Sequence, residues 1–82
     1  MLKVVGMREM NAIFEVTDRL GISREVIEVP LGPESPGQVR RIPNGKFEII
    51  VDATIPIEVW VSDMEVELTR LMRRSELAPP NA

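Results

Sequence analysis

The sequence predicts an α+β domain: two helices packed on a small, mainly antiparallel three-stranded sheet, in the order helix, strand, hairpin, helix. Three observations predict it. Two segments, 7–20 and 55–74, place apolar residues at helical spacing. The stretch between them is rich in β-forming residues and carries Asn44-Gly45, a strong hairpin signal. Apolar residues make up 44% of an 82-residue chain, the content of one globular domain. Residues 1–77 are read as this single domain, and 78–82, with two prolines, as a disordered C-terminal tail.

In the first helix Met10, Ile13, Phe14 and Leu20 share a face with Val16 at its edge, and Arg8, Glu9, Asn11, Glu15, Asp18 and Arg19 lie opposite. Glu15 and Arg19 form an i,i+4 pair. Gly21 suits the left-handed residue that follows a helix end, with Ile22 packing back on the last turn. Glu25–Val29 alternates charge with β-branched residues and ends at Pro30, as a strand that joins the sheet. Leu31–Gly37, with two prolines and two glycines, reads as an exposed connector. A hairpin then pairs 38–43 with 46–52 through a type I′ turn at Asn44-Gly45, with Phe47, Ile49 and Val51 on one side.

Two patterns compete in the last segment. Ile57, Val59 and Val61 alternate with polar positions and Trp60 as in a strand, and Ser62 with Glu65 would cap a later helix. Against that, Ile57, Trp60, Val61, Met64, Leu68, Leu71 and Met72 form one helical stripe over four turns. The long helix is the adopted reading, with Pro56 in a first turn capped by Thr54 or Asp52 and Arg70, Arg73 and Arg74 near the negative end of the dipole. Its stripe meets Met10, Ile13, Phe14, Leu20, Phe47, Ile49 and Val51 in a shared core.

Composition narrows the function. With 10 basic and 13 acidic residues the net charge is 10 − 13 = −3, unsuited to a generic polyanion-binding surface. There is no cysteine, hence no disulfide, thiolate nucleophile or Cys-bound metal. There is no histidine, so the usual general base near neutral pH and the commonest transition-metal ligand are missing. One core of this size supplies about 3–5 kcal/mol, which makes a homodimer or a protein partner a natural source of further burial. No run approaches the roughly 20 apolar residues of a membrane span, and Met1–Gly6 is too short for a secretory signal, so a soluble, cytoplasmic protein is the expectation.

The candidate motifs are few. Gly32–Gly37 has the outer spacing of a phosphate-binding loop, yet Gln38 and Val39 stand where lysine and Ser/Thr are required, so the reading is a proline-stiffened surface loop. Glu58, Asp63, Glu65 and Glu67 crowd one helix. A solvated face is the plain reading, and a magnesium or calcium site or a carboxylate-based enzyme is the alternative. Arg40-Arg41 with Arg70, Arg73 and Arg74 would need to converge before they could bind nucleic acid, and no aromatic residues interleave them. Trp60, the only tryptophan, reads as a core anchor, with an interface anchor as the sharper alternative.

The run from Asn44 to Asp52, a Pro-containing loop, and a helix carrying Trp60 and Met64-Glu65-Val66-Glu67-Leu68 resembles the core of the ImmA/IrrE-type small zinc metallopeptidases. In that zincin-like core a similar strand precedes a helix with an aromatic residue and then H-E-x-x-H. The likeness spans residues 8–74, but Met64 and Leu68 occupy the two histidine slots and only Glu65 matches. A thioether and an isobutyl group cannot hold zinc as two imidazoles do, so the resemblance implies a metal-free, inactive derivative. With the common catalytic groups missing and the chain small, the functional expectation is a non-catalytic protein-interaction or regulatory module. It has no catalytic residues, metal or cofactor and no membrane role, and its partner is another protein or a second copy of itself.

Overall fold

A computed structural model describes residues 2–77, with side chains described as far as Arg74. The predicted tail, 78–82, lies outside the described residues. The elements are α1 (Met7–Arg19), β1 (Ile27–Glu28), β2 (Gln38–Arg41), β3 (Phe47–Ile50) and α2 (Ile57–Leu77), with one turn of 3₁₀ helix at Arg24–Val26 before β1. Two helices and a three-stranded sheet make the α+β fold the patterns predict.

α1 opens at Gly6, whose amide donates to the Glu9 carboxylate at 2.8 Å. It closes in a Schellman motif: the Gly21 amide donates to the Asp18 carbonyl and the Ile22 amide to the Thr17 carbonyl, with Gly21 at φ 77°. The buried line of α1 is Ile13, Val16 and Thr17, which puts Val16 at the centre of the face while Met10, Phe14 and Leu20 are half-buried. Thr17 is tolerated there because its hydroxyl donates to the Phe14 carbonyl.

β3 is the centre of the sheet, in the order β1-β3-β2. β2 pairs antiparallel with it from Gln38 opposite Ile50 to Arg41 opposite Phe47, and β1 pairs parallel, Ile27 beside Phe47. The sheet is therefore mixed. The hairpin falls where expected, but its turn is not type I′, because Asn44 does not take positive φ and Gly45 alone does, at 87°. The Gly45 amide donates to the Ile42 carbonyl and the Ile42 amide to the Lys46 carbonyl, so Pro43, Asn44 and Gly45 form a three-residue loop. Pro43, with φ held negative, suits the second position of a type I turn, and Gly45 supplies the left-handed residue after it.

Phe47, Ile49 and Val51 alternate inward and join Ile13, Val16, Ile57, Trp60, Met64 and Leu68 in one core. α2 packs against both α1 and β2. Arg8 of α1 is ion-paired with Glu58 and Arg19 with Glu65, at 2.6 Å for the latter, so the two helices run in the same general sense. Arg19 thus turns to a residue on α2 rather than to Glu15 one turn back.

Candidate functional site

The position of α2 is set by the connector that precedes it. Asp52 is buried at 4% exposure, and both of its carboxylate oxygens are engaged. Oδ2 accepts the Gly37 amide at 2.9 Å, and Oδ1 accepts the Thr54 amide and hydroxyl, each at 2.8 Å. These donors, the Gly37 amide foremost, then those of Thr54, hold the Asp52 carboxyl below its ordinary range against the opposing effect of desolvation. Asp52 therefore fastens the 52–55 turn to the 31–37 loop. The first turn of α2 is opened instead by the Pro56 carbonyl, which accepts the Val59 and Trp60 amides at 3.0 Å.

The loop with phosphate-loop spacing is occupied by this arrangement. Glu34 bridges to the Val51 and Ala53 backbones, and the Gly37 amide faces the Asp52 carboxylate, an anion belonging to the protein itself. A Cβ on Gly37 would come within 2.7 Å of the Asp52 backbone nitrogen, so glycine is required there for close approach. Leu31–Gly37 is thus a largely exposed connector, but one stitched to the strand end.

α2 has three kinds of surface. Its inner side carries Ile57 and Trp60 at 5% exposure and Met64 and Leu68 at 0%. Trp60 belongs to the core, where it also forms one wall of a cleft of about 250 Å³ shared with Pro36, Gly37, Asp52, Asp63 and Glu67. Met64 and Leu68 are enclosed, and Glu65 between them is bound to Arg19. The side toward α1 is the polar ridge of Glu58 and Glu65 with their arginines. The remaining, outward side exposes Val59 at 60% and Val66 at 56%, with Ser62, Asp63, Arg70 and Arg73 between and beyond them.

The acidic residues singled out in the sequence, Glu58, Asp63, Glu65 and Glu67, are consequently dispersed. Glu58 pairs with Arg8, Glu65 with Arg19 and Glu67 with Arg70. Among the described residues no group of three or more Asp or Glu is disposed to hold a metal ion. The arginines are dispersed as well: Arg40 is bound to Glu48 at 2.6 Å, Arg41 lies over the Phe47 ring and Arg70 faces Glu67. A second depression of about 330 Å³ lies where α1 and α2 begin, lined by Arg8, Glu9, Thr54 and Glu58 among others. The protein's own carboxylates fill the place an anion would take there, Glu9 on the Gly6 amide and Glu58 on Arg8.

Sequence patterns single out Trp60 and the 64–68 motif but miss the part played by two features. One is Asp52, whose Asp-x-Thr spacing is the signal of a side chain folding back on a nearby amide. The other is the pair Val59 and Val66, which interrupt the polar half of the helix one heptad apart. No described helix is long and apolar enough to cross a membrane. Fold and site together define a small α+β domain with one long helix laid across the sheet and open on its outer face. No protein family, curated protein or solved structure matches the chain.

Proposed function

We propose that this protein is a non-catalytic interaction module that binds a protein partner through the outer face of α2. The observation that carries the reading is the pair of valines, Val59 and Val66, held out to solvent on one side of a helix whose opposite side is fully packed. An isolated surface valine needs no explanation, but two at heptad spacing on a long rigid helix are the pattern by which helices pair. The resemblance to a zincin-like core enters this reading as a metal-free, inactive derivative. Met64 and Leu68 serve the core and Glu65 serves the contact between helices.

Two measurements test it. Thermal melting with and without magnesium, calcium or zinc is expected to give superimposable curves. A clear metal-dependent rise would favour the carboxylate-site alternative, because a ligand bound only by the native state stabilises it. At concentrations where the parent protein is monomeric, the Val59→Ser/Val66→Ser double variant should melt within the error of the parent. A large loss of stability would make the valines structural and remove the basis of the proposal.

A further inference from the structure

Resting on that reading, we infer that the partner of the α2 outer face is a second copy of this chain, docked antiparallel about a twofold axis near Val66. The argument is the charge order along the exposed stripe. Its first half carries Asp63, and its second half carries Arg70, Arg73 and Arg74. Among the described residues Asp63, Arg73 and Arg74 take part in no ion pair, and Arg70 is held only by Glu67 within its own helix.

Consider two such helices laid face to face. In a parallel pair the flank carrying Asp63 and Arg70 meets the flank carrying Glu58 and Glu65, which sets Asp63 against Glu58 of the other copy and offers Arg70 only Glu65, already held by Arg19. In an antiparallel pair centred on Val66 the two Val66 side chains meet, and positions whose numbers sum to about twice 66 oppose each other. Asp63 then faces Arg70 of the other copy, twice over by symmetry, and Val59 lies on the alkyl stem of Arg73. The same stripe is therefore better matched to itself in the antiparallel orientation. The salt bridges at Glu58 and Glu65 are on the flank toward α1 and are not disturbed. One helix face buries area at the low end of specific interfaces, so the association is reversible on dilution.

Sedimentation velocity of the full chain over a dilution series tests this. The parent protein should pass from monomer to dimer with rising concentration. Asp63→Arg and Arg70→Asp should each raise the dissociation constant at least about tenfold, since each places two like-charge contacts in the dimer. The double variant D63R/R70D should return to within about threefold of the parent, because the exchange restores both contacts. Val66→Glu should weaken the dimer and should not be rescued by the exchange. A dimer indifferent to all these changes would overturn the assigned face. A parent chain that stays monomeric at every concentration would overturn self-pairing while leaving the interaction reading with a different protein as partner. Failure of the double variant to recover would overturn the antiparallel arrangement.

Discussion

Both faces of α2 carry apolar side chains, and those side chains behave in opposite ways. On the inner side Ile57, Trp60, Met64 and Leu68 lose nearly all contact with water, while on the outer side Val59 and Val66 keep more than half of their surface exposed. The inner face is continuously apolar and the outer one is interrupted by Ser62, Asp63, Arg70 and Arg73, and the two also differ in what lies across from them. Inside stand Ile13, Val16, Phe47, Ile49 and Val51; outside, within the described residues, there is nothing to pack against. The aspartates repeat the contrast. Asp52 is buried with every acceptor engaged, whereas Asp63 is exposed and unpaired among the described residues. A charge buried in the fold is saturated by donors, and one on its surface is left to water.

The contrast would be broken most strongly from the inside. Leu68→Ala should cost about 2–5 kcal/mol in chemical denaturation, because a fully enclosed side chain leaves a cavity. A loss under about 1 kcal/mol would mean that the inner face is looser than its burial indicates. Next comes the junction that aims the helix. Asp52→Ala should cost about 2–4 kcal/mol by stranding the Gly37 and Thr54 donors, and Gly37→Ala about 1–3 kcal/mol through the clash with the Asp52 backbone. The pH dependence follows from the depressed carboxyl of Asp52. Its contribution is complete above the ordinary value of 3.8 and is lost as pH falls through the lower native value. Acid titration of stability should therefore be flatter in Asp52→Asn than in the parent, and parallel curves would remove Asp52 from that role.

Smaller effects sharpen the comparison. Arg19→Ala should cost only about 0.2–1 kcal/mol, since its bridge to Glu65 is partly solvated. Val66→Ser should change monomer stability by less than about 0.5 kcal/mol. If Val66→Ser cost as much as Leu68→Ala, the two faces would not differ in the way described.

Local signals in the sequence carried most of the fold. Gly21 after an amphipathic run marks the end of α1, and the stripe from Ile57 to Met72 outweighs the alternation at 57–61, because only a helix gathers Trp60, Met64 and Leu68 on one side. What was not legible depends on distant partners. Arg19 has Glu15 one turn away and chooses Glu65, 46 residues on. The parallel direction of β1 has no signature in two residues. The turn type followed Pro43 rather than the Asn-Gly pair beside it, a competition between two local preferences in which the locked ring prevails. The sequence offers Asp52 as a helix cap and not as the tie to the 31–37 loop, because its main partner, Gly37, is 15 residues away.

The edges of the sheet have a consequence for how copies of this chain can meet. β1 offers just two residues before Val29-Pro30, and β2 carries Arg40 and Arg41, with Pro36 before it and Pro43 after it. Brevity, positive charge and proline are the devices that stop a strand edge from templating another chain. Strand-to-strand growth into open fibres is therefore blocked at both ends of the sheet. Association of this domain with other chains is thereby left to surfaces other than its strand edges.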